Sequence, residues 1–384
     1  MNYPGNITSK LPDTGSSIFA VMSQIAREEN AINLSQGFPD FEIAPELIKL
    51  VNQKMKEGYN QYAPMTGVPE LREAISGKVE NTYGINYHPD KEINITSGAT
   101  QAIYTVISSL IRDEDEVIIL EPAYDSYAPA VKLNGGRVKY ASILPPDYKV
   151  NWEQLVKLIS NRTKMLIINT PHNPTGSILN KEDLQMLEKI ILRNDLILLS
   201  DEVYEHLIFD GERHESVCYY PELAKKSFVV GSFGKTFHAT GWKTGFVLAP
   251  EELMKEFRKA HQFVVFAANT PIQHAIAEYI KNPDNYNYLP DFFQAKRDFF
   301  TDLLKDSRFK ALPCKGTYFQ CLDYSRISNE PEMDFAVRMT REHKVASVPL
   351  SPFYQKNGDN NVLRFCFAKK EETLEKAAEI LCKI

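Results

Sequence analysis

Short apolar runs separated by helix-length stretches dominate the middle of this chain. Ile93 and Ile95 alternate with polar residues, and four continuous apolar runs follow at 117–120, 165–168, 196–199 and 228–230, with a sixth short run at 245–248. Alternation predicts a half-covered strand, whereas continuous runs predict strands covered on both faces, as in a mostly parallel sheet of the α/β class. Behind the first strand, S-G-A-T (97–100) reads as a tight turn. Positions 99, 102, 103, 106, 107 and 110 then carry apolar residues at helical spacing.

In open α/β sheets ligands bind beyond the carboxyl ends of the strands. Here each strand end runs into an unusual polar cluster: the 97–100 turn, E-P-A-Y-D (121–125), N-T-P-H-N-P-T-G (169–176), S-D-E-V-Y (200–204) and S-F-G-K-T-F-H-A-T-G-W-K-T-G (232–245). Five loops are therefore expected to converge on one site. Upstream, residues 1–17 read as an extended arm, 18–25 as a short helix, and N-L-S-Q-G-F-P-D-F (33–41) as a turn whose bare backbone at Gly37 can approach a ligand. The 60–67 segment is irregular, with Tyr62 expected at a surface or interface.

Beyond residue 275 the pattern changes. A Pro/Asn-rich break at 282–290 precedes a second, α+β region with short strands at 314–321 and 362–367 and a terminal helix presenting Leu374, Ala377, Ala378 and Leu381 on one face. Arg364 lies between Leu363 and Phe365. Either it is buried and needs an anionic partner, or it faces solvent from an edge strand.

Composition narrows the class without naming a chemistry. With 384 residues, 43% of them hydrophobic and 24% charged, the chain has ample material for a core, and a net charge of -6 predicts no nucleic-acid partner. Five cysteines form no C-x-x-C pair, and their odd number argues against a disulfide framework, which fits a reducing cytoplasm. The first residues lack a signal-peptide pattern, and no apolar run is long enough to span a bilayer.

Lys235 admits three readings: a solvated lysine in a turn, part of a phosphate loop, or an amine that attacks a carbonyl as a Schiff-base nucleophile. The second fails on spacing, since the position five before Gly234 is Val229, inside a strand. The histidines show no metal-ligand spacing, so no metal is expected, and neither a G-x-S-x-G elbow nor a G-x-G-x-x-G after a strand occurs. The converging groups do match pyridoxal 5′-phosphate. Its aldehyde needs Lys235; its phosphate needs helix N–H groups at Ala99 and Thr100 with Ser232 and Lys243. Its ring nitrogen needs the carboxylate of Asp201, its phenolic oxygen the donors of Tyr204 and Asn173. Its two faces need Tyr124 and Val203, the latter two residues after Asp201 on the same strand face.

The quoted 232–245, 169–176 and 201–204 motifs, with Arg364, resemble the signature of the class I/II aminotransferases of pyridoxal-phosphate fold type I, across essentially the whole chain. Segments 33–41, 60–67 and 239–245 are similar to those of the kynurenine aminotransferase (glutamine transaminase K) branch and its bacterial methionine aminotransferases. Lys243 departs from the wider family, where many members have arginine; a lysine keeps the charge but loses the bidentate fork.

The resemblance implies a mixed, mostly parallel seven-stranded sheet in a large domain (46–275) and a small α+β domain built from 18–45 and 276–384. It implies that Lys235 both binds the cofactor and moves the α-proton, and that Arg364, Asn173 and the Gly37 backbone hold the substrate carboxylate. Catalytic roles fall to Lys235, Asp201 and Tyr204. It further implies a homodimer with shared sites, in which Tyr62 reaches the neighbouring phosphate and Phe19, Tyr124 and Phe266 of the partner subunit line the side-chain pocket. Such a pocket, with no evident second arginine, points to methionine, aromatic amino acids or glutamine as substrates of a ping-pong transamination. A carbon–sulfur lyase acting on cysteine conjugates is the nearest rival and a non-catalytic regulator a remote one.

Overall fold

The computed structural model describes Met1 and residues 5–356 and 358–384, so residues 2–4 of the expected arm lie outside it. Over 5–17 the chain is free of helix and strand. In chain order the strands are β1 (Ile32–Asn33), β2 (Ile93–Thr96), β3 (Glu116–Glu121), β4 (Arg137–Ser142), β5 (Thr163–Asn169), β6 (Ile197–Asp201) and β7 (Ser227–Ser232). They continue with β8 (Gly245–Leu248), β9 (Lys310–Ala311), β10 (Phe319–Asp323), β11 (Val345–Ala346), β12 (Val348–Pro349) and β13 (Val362–Cys366).

Seven of these form one sheet in the order β2-β8-β7-β6-β5-β3-β4. β8 runs antiparallel to both neighbours, and the remaining pairs are parallel. The fold class is thus the expected α/β one with a mixed, mostly parallel sheet. The continuous apolar runs become strands buried along their length, since helices cover both faces. β4 escaped the hydrophobic pattern for the converse reason. It is an edge strand, half-exposed along R-V-K-Y-A-S, and needs no apolar run.

The helix Ala99–Leu110 buries Ala102, Ile103, Val106 and Ile107 and packs over β6, β7 and β8. Those side chains pin its first turn beside the carboxyl ends of the parallel strands β6 and β7 and the start of the antiparallel β8. A second sheet, all antiparallel in the order β12-β13-β10-β9, is built from the C-terminal third of the chain. β1 joins this part by pairing parallel with β11, and the helix Ile18–Glu28 packs on the helix Glu332–His343. The terminal helix buries the four residues its spacing singled out.

Three expectations need correction. The 282–290 stretch is not a break: it holds a short helix (Asp284–Asn287) and the start of another (Leu289–Leu303), because its prolines sit before or in a first turn, where no N–H is needed. The strand expected at 314–321 begins only at Phe319. Arg364 is on no edge, because β13 is paired on both sides.

Gly67 shows how tightly the irregular 60–67 segment is seated. Its φ of +98° is one that side chains avoid, and a methyl group there would run into the Ile95 side chain on β2. Gly67→Ala is expected to lower stability by about 2 to 4 kcal/mol, read as a fall in the urea midpoint at unchanged slope.

Candidate active site

At the carboxyl end of β6, Asp201 is the last strand residue and is buried. Its Oδ2 accepts from the Tyr127 hydroxyl at 2.5 Å and its Oδ1 from the Val203 N–H at 3.3 Å. Asn169, at the adjacent end of β5, donates to the Asp201 carbonyl at 2.8 Å and accepts from the Asn173 N–H at 2.7 Å, fixing two strand ends against each other. Burial pushes the Asp201 carboxyl up to about 6, against the lowering by Tyr127, the Val203 N–H and Lys235. Val203 lies beyond the strand, in the turn that also carries Tyr204, and not on the strand face expected for it.

Lys235 is in a short helix (Phe233–Thr236) directly after β7, where a loop was expected. Its amine donates to the Tyr318 hydroxyl at 2.7 Å and to the Gly37 carbonyl at 3.2 Å, and no carboxylate lies within ion-pair distance among the described residues. Burial pulls it down to about 8, helped by Arg364 and Lys243 and opposed by Cys366 and Asp201. An amine in that range is neutral in a substantial minority of molecules near physiological pH, far more often than a free lysine, and can act as nucleophile and base.

The helix Ala99–Leu110 opens on Gly98 (φ +81°) with no side chain capping its first turn. A side chain at Gly98 would sit 3.5 Å from the Lys243 amine, which is how closely that lysine approaches the helix end. Ser232 and Thr100 complete a ring of donors, and the Thr100 and Tyr124 hydroxyls are 3.4 Å apart. Free N–H groups at a helix start beside a cation and hydroxyls constitute an anion site.

Arg364 is 1% exposed and has no carboxylate partner among the described residues. Its guanidinium donates to Asn173 Oδ1 at 2.7 Å and to the Ser35 carbonyl at 2.8 Å, stacks 3.8 Å over the Phe319 ring and lies 5.0 Å from Phe19, while Nε finds no partner. A buried, incompletely satisfied cation of this kind is a receptor for an anion.

These groups line one cavity of about 250 Å³. Gly37, Phe19, Ala99, Thr100, Tyr124, Asn173, Asp201, Val203, Tyr204, Ser232, Lys235, Lys243 and Arg364 all border it. Tyr62 and Phe266 do not: they are 84% and 49% exposed and meet each other edge to face at 5.3 Å.

Residues 29–381 match the family described as aminotransferase class I and II. The chain belongs to that family. It is 46% identical to the methionine aminotransferase of Escherichia coli over 99% of both chains, and 33% identical to kynurenine–oxoglutarate transaminase 3 of Homo sapiens over 95% of this chain and 87% of the human one. A crystal structure of an Escherichia coli protein with methionine aminotransferase function superposes with a TM-score of 0.97 at 45% identity, over 99% and 100% of the two chains.

The cofactor of this aminotransferase is pyridoxal 5′-phosphate, and the cavity fits it group by group: an anion site at a helix start, an enclosed amine, and a buried carboxylate whose raised pKa a cationic ring nitrogen would relieve. Residue-by-residue reading missed Tyr127, Asn169, Phe319 and Tyr318. The first two sit inside or beside quoted motifs, so their positions were visible and their partners were not. Tyr318 and Phe319 lie in the G-T-Y-F stretch of the second region, whose aromatic residues also suit a core.

Because Lys235 is deprotonated at lower pH than a free lysine, the cofactor-free protein is expected to trap a simple aldehyde at Lys235 at a rate that rises with pH to a plateau, with a midpoint near 8 rather than 10.5. Borohydride reduction and peptide mapping read the rate at each pH.

Proposed function

We propose that this aminotransferase takes its amino group from methionine, an aromatic amino acid or glutamine and passes it to a 2-oxo acid by a ping-pong mechanism. The observation that carries this reading is Arg364: one buried guanidinium, flanked by the Phe19 and Phe319 rings, in a cavity whose other lining cations are Lys235 and Lys243. One anion receptor binds the carboxylate common to all amino acids. The aromatic surroundings favour an apolar or neutral side chain over a second carboxylate, and the identity to a methionine aminotransferase supports the same choice.

When bound, pyridoxal 5′-phosphate supplies an aldehyde that amines attack and a ring that withdraws electrons as the α-proton leaves. The chain's residues do the rest. Arg364, Asn173 and the Gly37 backbone orient the substrate carboxylate. Lys235 Nζ takes the α-proton and returns it. Asp201 stabilises positive charge on the ring nitrogen, with Tyr127 and the Val203 N–H holding its carboxylate in place. Tyr204 and Asn173 donate to the phenolic oxygen, and Val203 and Tyr124 flank the ring. Ala99, Thr100, Ser232 and Lys243 take the phosphate.

The same reading includes a homodimer in which Tyr62 completes the neighbouring phosphate site and Phe266 the neighbouring pocket. What supports it is the exposure of these two aromatic residues, which touch each other, and of Phe263, three positions before Phe266 in the chain. It also includes a large domain of 46–275, a small domain of 18–45 and 276–384 with residues 1–17 as an arm, and a cytoplasmic home. The last is supported by five unpaired cysteines and by the absence, among the described residues, of a helix long and apolar enough to cross a membrane.

Reconstituted wild type is expected to show a visible absorption band that L-methionine converts to a shorter wavelength; Lys235→Ala should show no conversion, and Arg364→Ala should raise KM for the amino acid about 100-fold or more. A band that methionine leaves unchanged would overturn the substrate assignment. Sedimentation at micromolar concentration should give twice the chain mass, and Tyr62→Phe should weaken cofactor retention about tenfold at unchanged mass. A monomer that nevertheless turns over would overturn the shared site.

A further inference from the structure

The shortest hydrogen bond made by the Lys235 amine is to a residue for which the reading above has no role. Lys235 Nζ donates to the Tyr318 hydroxyl at 2.7 Å, and the Tyr318 hydroxyl donates to the Gly37 carbonyl at 2.6 Å. Lys235 reaches the same carbonyl at 3.2 Å, so amine, phenol and carbonyl close a triangle. Tyr318 is fully buried. Its ring meets Tyr204 at 5.3 Å, Phe319 at 4.9 Å and Phe293 at 5.8 Å, and its carbonyl accepts from the Phe367 N–H at 3.0 Å, just past β13. The ring is therefore held by its aromatic neighbours, while the hydroxyl accepts from Lys235 and donates to Gly37. For packing alone a phenylalanine would have served as well at this enclosed position, and without a polar group to satisfy.

Gly37 belongs to a segment tied down at successive carbonyls. Ser35 accepts from Arg364 at 2.8 Å and Phe38 from Lys369 at 2.8 Å. Through Gly37 the Lys235 amine is thus joined to the backbone that also braces Arg364.

We propose that Tyr318 is a positioning residue for Lys235, its phenol oxygen serving as the resting place of the amine whenever the amine is free during transamination. The inference rests on Lys235 being the proton carrier. When Lys235 takes the α-proton, its ammonium donates to Tyr318 and Gly37; when it gives the proton back, the neutral amine remains bound by the same two acceptors. Tyr318 keeps its own proton throughout, because burial pushes its phenol far above the usual range and the Gly37 carbonyl holds the hydrogen. The groups that face the amine are Asp201 from β6, Arg364 and Cys366 from β13, Lys243 from the segment before β8, and the phenols of Tyr204 and Tyr318. Tyr318→Phe changes only the last and keeps the ring packing.

The test is trace acetylation of the full chain freed of cofactor, resolved lysine by lysine across pH, beside steady-state kinetics of the loaded enzyme with protiated and α-deuterated L-methionine. Losing an acceptor of the ammonium should lower the Lys235 midpoint by about one pH unit and leave the other lysines in place. kcat should fall about tenfold with KM within about twofold, and the isotope effect should grow as proton transfer becomes more limiting. Tyr318→Met, apolar and unbranched, must move the Lys235 midpoint the same way, which keeps the test decisive should one variant fold poorly. An unmoved Lys235 midpoint, or kcat and KM shifting together with no growth in the isotope effect, overturns the proposal. The labelling needs no substrate, so a wrong amino-acid assignment would show as a wild type without turnover, and a wrong role for Tyr318 as an active wild type matched by its variant.

Discussion

A guanidinium has been taken out of water at Arg364 with no carboxylate beside it among the described residues. That costs several kcal/mol unless other groups take up its donors, and three parts of the chain are arranged to do so. The strand that carries it, β13, runs through the middle of the smaller sheet; Asn173 comes from the turn after β5 of the larger sheet; the Ser35 carbonyl comes from the segment after β1. Satisfying one charge thereby joins the two sheets and the N-terminal segment. The remaining donor capacity, Nε included, is what makes the cavity a place for a carboxylate.

Desolvation acts on the other two ionisable groups in opposite directions. It raises Asp201 to about 6 and lowers Lys235 to about 8, so each is drawn towards its neutral form. A site with these groups is unfinished electrically. A ligand that brings a positive ring nitrogen to Asp201 and a carbonyl to Lys235 turns both penalties into binding and reactivity, so the same burial that weakens the empty site readies it for a charged, electrophilic cofactor.

The precision of the site comes from side chains that hold the reactive groups in place. Tyr127 and the Val203 N–H aim the Asp201 carboxylate; Asn169 locks the ends of β5 and β6 and carries the Asn173 backbone. Tyr318 does for the amine what Asn173 and Ser35 do for Arg364: it gives a mobile, charged side chain one position.

Much of this was written locally. Continuous apolar runs marked β3, β5, β6 and β7 because a strand covered on both faces must be apolar throughout, and the glycine, hydroxyl and amide clusters at their ends marked the loops of the site. Lys235, Asp201 and Arg364 stood out because a charge amid small or apolar residues demands a reason. The tertiary structure alone decided the rest. β4 lies at an edge and β1 is two residues long, so neither needs a hydrophobic pattern. The prolines of 282–290 could end helices or begin them, and only packing selects the latter. Tyr318 meets Lys235 across 83 positions and Arg364 meets Asn173 across 191. Periodicity reports what a residue's neighbours in the chain require; which distant atom receives its hydrogen bond is settled when the two sheets come together.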